Sequence, residues 1–233
     1  MPFLKSPSNR LLAALPMAER TDLFRRTVPV EPQPGTVLVD SGEPFRHVYF
    51  PCTSVVSVVA TAEGPVGLEV GQVGNEGMVG VPLALGVPVS PTRNVVRGEG
   101  TALRISAGEF NTALTVSPGL RRLLHRYAHV VTAQLAQVAI CAHFHVLESR
   151  LAAWLLATHD RLGRDTFHYT HEMLAESFGV RRASVSEAAA ALQAKGLISY
   201  ARGDISVLDR AGLEQAACDC YRSSRQIYSS IFA

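Results

Sequence analysis

Lysine is almost missing from this chain: Lys5 and Lys195 are the only two among 22 basic residues, so arginine carries nearly all the positive charge. Long apolar runs are missing too. No stretch reaches the ~18 to 20 consecutive apolar residues that span a bilayer, and Pro7 and Pro16 interrupt the N-terminus before a signal-peptide core develops. The expectation is a soluble, cytoplasmic protein with no membrane partner. Cysteine is sparse and scattered: Cys52, Cys141, Cys218 and Cys220 form neither a paired C-x-x-C zinc pattern nor a secreted disulfide framework. Reduced thiols are the default.

What is present describes a globular protein long enough for two domains, with 233 residues, 47% of them hydrophobic and 18% charged. The formal charge of +2 hides an asymmetry. Up to Ser117 there are 9 basic and 10 acidic residues, and beyond it 13 and 10, so the two parts carry −1 and +3. Arginine's planar fork suits phosphate and guanine, which makes the C-terminal part a weak pointer to nucleic acid.

Residues 27–106 are rich in glycine, proline and short β-branched runs such as "TVLVDSGE", "SVVSVVATAEG" and "NVVRGEGTALRIS". Each run closes on a turn residue, the pattern of a sandwich or barrel. Gly71, Gly74, Gly77 and Gly80 recur every third position, which fits neither a strand nor a helical face. A loop or tightly bent segment is expected there.

The texture changes at Pro118-Gly119. Leu120, Leu124, Tyr127, Val131, Gln134, Val138 and Cys141 then follow in steps of four and three with no glycine or proline between them. Such a narrow seam suits one partner helix and favours a homodimer, although the same strip would also dock on the chain's own β-domain. "VLESRLAAWLLATHDRLG" reads as a separate helix with Val146, Leu147, Leu151, Trp154 and Leu155 inward, ended by Gly163. The last 24 residues, from Arg210, read as one further helix and a tail.

Residues 170–198, "THEMLAESFGVRRASVSEAAAALQAKGLI", carry the strongest functional pattern. Thr170 caps a helix starting at His171, with Leu174, Ala175 and Phe178 on one face, and Gly179 permits a sharp turn. A second helix follows with Val185, Ala188, Ala189 and Leu192 inward. Two short helices around a glycine turn make a helix-turn-helix, whose second helix enters the major groove by its N-terminal end. Arg181, Arg182, Ser184, Ser186 and Glu187 fall on or near its outer side. A β-hairpin around Arg202-Gly203-Asp204 comes next, and Arg202 is a candidate phosphate contact.

The order of β-rich domain, seamed helix, helix-turn-helix and β-wing resembles the Crp/Fnr family of bacterial transcription regulators over essentially the whole chain. The resemblance is carried by residues 170–198 and by "PGTVLVDSGE", residues 34–43. It implies an α+β protein: an N-terminal β jelly roll of cyclic-nucleotide-binding-like type (1–117), a long dimerisation helix (118–145) and a C-terminal winged helix-turn-helix (146–233). It further implies a homodimer on double-stranded DNA, with RNA polymerase as a partner and Thr170, His171, Arg181, Arg182, Ser184, Ser186, Glu187 and Arg202 at the DNA. Against the family's S-R-E-T-V-x-R segment, Arg182 and Ser184 keep an arginine and a hydroxyl. Ala183 replaces a base-reading glutamate and Glu187 replaces an arginine, so the operator is expected to differ.

In the sensor domain the resemblance places a ligand at Glu76, Gly77, Gly80 and Arg93. Val81 and Pro82 stand where cyclic-nucleotide binders have Glu-Leu, and Thr92-Arg93-Asn94 stands for Arg-Ser-Ala, which argues against cyclic AMP and leaves the small-molecule effector unknown. Glu76 precedes the glycine rather than following it. One cysteine in the N-terminal half argues against an iron–sulfur cluster. No metal or other cofactor is expected, with Cys141 and His145 held in reserve as ligands shared across two subunits. Cys218 and Cys220 are expected to be inert thiols. Two other readings stay open: a sensor or scaffold acting through protein contacts without specific DNA binding, and a metal-dependent jelly-roll enzyme. The shortage of histidine before His125 weakens the enzyme.

Overall fold

A computed structural model describes residues 9–61 and 67–232. They form two compact units. One comprises the described residues up to Val58 together with Gln72–His129, and the other comprises Val59–Gly71 and the described residues from Val130 onward.

The first unit opens with two short helices, α1 (Arg10–Ala13) and α2 (Met17–Arg25). Asn9 is fully buried and pins them: its side chain accepts from Leu12 N and donates to the carbonyls of Pro51 and Gly77, each at 2.8 Å. The strands that follow are β1 (Val28–Val30), β2 (Val37–Val39), β3 (His47–Pro51), β4 (Val55–Thr61), β5 (Gly67–Val73), β6 (Arg93–Gly98) and β7 (Ala102–Ser106). They make two sheets, ordered β1-β7-β3 and β2-β6-β4-β5. The first is antiparallel, with Phe50 opposite Leu103 and Val48 opposite Ile105. Val56, Val73, Val79 and Val96 form a buried cluster, as β-branched residues on a pleated surface do.

The glycine run has two fates rather than one. Gly71 lies inside β5, whereas Gly80, at φ 109°, starts the short helix α3 (Val81–Ala84). Gly77 answers to packing: a Cβ there would run into the ring and hydroxyl of Tyr127. Helix α4 (Ala107–Val116), capped by Ser106, precedes the long helix α5 (Pro118–Phe144). Glu19 terminates the start of α5 from a distance, accepting from the Ser117 hydroxyl and from Leu120 N at 3.1 Å. The Ser117 bond is the main reason that the Glu19 carboxyl titrates below its ordinary 4.5.

The strip read as a dimer seam is used inside the chain. Leu120, Leu124 and Tyr127 are buried in the first unit. Val131 and Val138 are half-buried, Gln134 donates to Ser224 O at 3.5 Å, and Cys141 faces Cys218. Steps of three and four mark any buried helical stripe, and here the chain itself buries the first three positions while the last four stay partly exposed.

The second unit continues with α6 (Leu147–Leu162), β8 (Thr166–His168), α7 (His171–Phe178), α8 (Arg182–Ala194), β9 (Ile198–Ala201), β10 (Asp204–Val207), α9 (Arg210–Ala216) and α10 (Cys220–Phe232). Leu151, Leu155, Leu174, Val185, Leu192 and Ile205 sit in one core that joins the helices to the β8-β10-β9 sheet. Gly163 ends α6 in the left-handed conformation, as expected, but Val146 is 71% exposed at its N-cap rather than inward. The single C-terminal helix expected from sequence is two, because Asp209 caps α9 and the chain leaves the helix at Ala217. Among the described residues no helix is long and apolar enough to cross a membrane.

Candidate nucleic-acid interface

Thr170 begins the site. Its hydroxyl accepts from Met173 N at 3.2 Å, closing the first turn of α7, while Glu172 complements the helix dipole. Gly179, at φ 63°, ends the helix in the left-handed conformation that glycine adopts without a Cβ penalty. Val180 N reaches back to Ala175 O at 3.1 Å, and α8 starts at Arg182 with Arg181 as N-cap. Val185, Ala188, Ala189 and Leu192 are buried, which turns the opposite side outward.

That outer side carries Arg181, Arg182, Ala183 and Glu187, all exposed, with Ser184 half-buried. Two arginines exposed at the N-terminal end of a helix can reach phosphate and guanine edges. Two other residues assigned to the interface are turned onto each other. His171 Nδ1 lies 2.8 Å from Ser186 Oγ, and Ser186 Oγ also donates to Arg182 O at 3.1 Å. The His171 ring stacks on Tyr200, with centroids 4.0 Å apart, and its Nε2 is buried with no hydrogen-bond partner. Burial first, and the Arg182 charge second, lower its pKa below 6.5. The ring's contacts are thus with Ser186 and Tyr200 of the same domain.

Tyr200 and Gln193 were not legible as functional residues. Tyr200 Oη accepts from His171 N at 3.3 Å, and Tyr200 N donates to Gln193 Oε1 at 2.8 Å, tying α8 to the wing. At the wing tip Arg202 has φ 54° and Gly203 has φ 93°. Positive φ at both central residues is the two-residue turn that matches strand twist. Arg202 is the one non-glycine residue at positive φ among the described residues, and it is exposed. A Cβ at Gly203 would lie 2.6 Å from the exposed His168 ring, and φ 93° is a conformation that disfavours any residue but glycine.

The residues assigned to an effector do not share one set of partners. Glu76 Oε1 accepts from Gly74 N at 3.4 Å. Arg93, at the exposed start of β6, has Asp40 Oδ2 3.9 Å from its Nε. Asn94 donates to Thr92 O at 3.0 Å and Ser90 donates to the same carbonyl at 2.7 Å, so the turn satisfies its own polar groups. Cys141 and His145 are brought together, but with Cys218 and Cys220 of the same chain.

Residues 149–216 match the Crp-like helix-turn-helix domain. No curated protein sequence matches the chain. Among solved structures, FixK2 from Bradyrhizobium japonicum is similar with a TM-score of 0.70 and 13% identity, over 82% of this chain and 98% of its own. A Crp-family transcriptional regulator from Thermus thermophilus gives 0.67 and 21%, over 81% and 96%. The c-di-GMP-responsive global regulator CLP of Xanthomonas campestris gives 0.63 and 15%, over 83% and 100%. Residues 149–216 thus carry a Crp-like helix-turn-helix domain, set in a chain whose fold is similar to that of these solved regulators.

Proposed function

We propose that the protein binds a near-palindromic DNA site as a cytoplasmic homodimer, regulates transcription with RNA polymerase as a partner, and answers to an unidentified effector other than cyclic AMP. The observation that carries the DNA reading is the pair Arg181 and Arg182, exposed at the N-terminal end of a helix whose other side is locked in the core. Arg182 takes a guanine edge, and Arg181 and Arg202 take phosphates. Glu187, one turn further along, accepts from a cytosine amino group, and the methyl of Ala183 suits a thymine methyl. Thr170 and Ser184 approach the DNA backbone.

The homodimer reading rests on the side of α5 opposite the packed strip. Leu135 and Ile140 are 42% and 48% exposed, and they flank the exposed small residues Ala136 and Ala139. Small residues at the centre of a helical face let two backbones approach closely. The effector reading is supported by Val81 and Pro82, which offer a ribose no carboxylate, and by the internally satisfied turn at Ser90 and Asn94. The protein acts as a regulator, with no catalytic role assigned.

Gel shifts across a salt series test this. Arg182→Ala is expected to lower affinity for the selected operator by roughly 10- to 100-fold while leaving binding to unrelated duplex nearly unchanged. Equal selectivity in the variant removes the guanine contact. Absence of any reproducible selected motif in the parent favours the scaffold reading. Ala139→Glu is expected to convert a sedimenting dimer into monomer.

A further inference from the structure

Among the described residues, the one group of three or more metal-capable side chains close enough to share an ion is Cys141, His145, Cys218 and Cys220. All four come from the second unit, so the group is internal to it. Cys141 lies in the last turn of α5 and His145 just beyond it, with His145 N bonded to Cys141 O at 3.3 Å, so the two side chains share a face one turn apart. Cys218 stands between α9 and α10, held by its N–H to Ser149 O at 3.3 Å, and Cys220 is the first residue of α10.

Their ligand atoms converge. Cys141 Sγ lies 3.6 Å from Cys218 Sγ, Cys220 Sγ lies 3.4 Å from His145 Nδ1, and all four atoms are within 4.8 Å of one another. Zinc bonds of ~2.3 Å to sulfur and ~2.0 Å to nitrogen generate tetrahedral edges of about 3.8 Å between sulfurs and about 3.5 Å between sulfur and nitrogen. The sulfur–sulfur separation of 3.6 Å and the sulfur–nitrogen separation of 3.4 Å are close to those edges. A disulfide needs sulfurs about 2.05 Å apart, which the 3.6 Å separation is not.

The surroundings fit a metal better than packed thiols. Cys218 and Cys220 are buried with Ala153, and Cys141, Ala217 and Tyr221 pack around them. Buried cysteines that merely fill space have no need to meet an imidazole nitrogen. Gln137 Nε2 donates to Cys220 Sγ at 3.1 Å, the kind of outer hydrogen bond that orients a ligating sulfur.

We propose that Cys141, His145, Cys218 and Cys220 bind one zinc ion, tetrahedrally and within a single chain. Each cysteine still protonated releases its proton to solvent as its sulfur–zinc bond forms. His145 ligates through Nδ1 and keeps its proton on Nε2. Three thiolates and an imidazole are a closed structural set with no position left for substrate or water. The ion joins the end of the long helix to α10 and, through Ser149, to the start of α6, so it holds the DNA-binding unit on the helix that enters it. This differs from a ligand set shared between subunits, since every ligand is in one chain.

The full-length protein, purified untagged and stripped of metal, is titrated with Co2+ and then Zn2+. One equivalent of Co2+ is expected to give the intense visible bands of tetrahedral thiolate cobalt, which Zn2+ abolishes. Cys218→Ser and His145→Gln are expected to lose or shift those bands, Cys52→Ser to keep them, and Gln137→Ala to weaken binding roughly 10- to 100-fold. His145→Gln guards against a Cys218→Ser chain that fails to fold, and circular dichroism checks both. Four free thiols with no cobalt spectrum would overturn the proposal. So would a Cys141–Cys218 disulfide in protein alkylated at lysis, or cobalt binding that survives both substitutions.

Discussion

His171 Nδ1 and Ser186 Oγ stand 2.8 Å apart and join the first helix of the helix-turn-helix to the second. Both residues resemble DNA contacts when only sequence is read. In the fold they form one side of a small network that includes Tyr200, while Arg181 and Arg182 are exposed at the start of the second helix.

Burial of the His171 ring gives stability a pH dependence. The folded pKa of His171 lies below the ordinary 6.5, so the unfolded chain binds its proton first as pH falls. The contribution of the neutral ring is fully present above 6.5 and is lost progressively as pH drops toward the folded value. The melting temperature of the parent is expected to decline between pH 7.5 and 5.5 more steeply than that of His171→Gln. Identical slopes in the two proteins would show that the ring titrates as it does in water.

The helix-turn-helix was legible because its signals are local. A threonine cap, a glycine at left-handed φ and inward apolar positions all lie within residues 170–192, and each is visible without knowing what packs around it. What covers the seam of α5 was not. Leu120, Leu124 and Tyr127 obey the same spacing whether a second helix or the chain's own β-domain covers them, and the structure gives them to the β-domain. The thiol cluster is harder still, since Cys141 and Cys218 are 77 residues apart and only the fold brings them together. The break between α9 and α10 escaped because no glycine or proline marks it. Val146 was misplaced because an apolar residue at an N-cap continues the helical pattern without sharing its burial.

The contact between Gly77 and Tyr127 makes a second prediction. Tyr127 is only 4% exposed, and its ring fills the space that a side chain at position 77 would need. Gly77→Ala is expected to lower stability by about 1 to 3 kcal/mol in urea unfolding, the usual effect of overpacking. Tyr127→Phe removes the nearest atom, so the double variant should be more stable than the sum of the single effects. Strict additivity would mean that the two positions do not touch.

Arg202 unites backbone strain with function. At φ 54° it occupies a conformation that glycine adopts freely and other residues adopt at a cost of about 1 to 2 kcal/mol. Replacing it separates the two roles. Arg202→Ala keeps the strain and removes the charge, whereas Arg202→Gly removes both, so the glycine variant is expected to be more stable than the alanine variant by about 1 kcal/mol. If the arginine is a phosphate contact, both variants should bind DNA more weakly at low salt. Each should also show a salt slope smaller by roughly one unit, without any change in the preferred sequence. A loss confined to one base pair would make Arg202 a base reader instead. An unchanged slope in both variants would leave the strained turn as an element of wing shape alone, since a charge that releases no counterion is not touching the backbone.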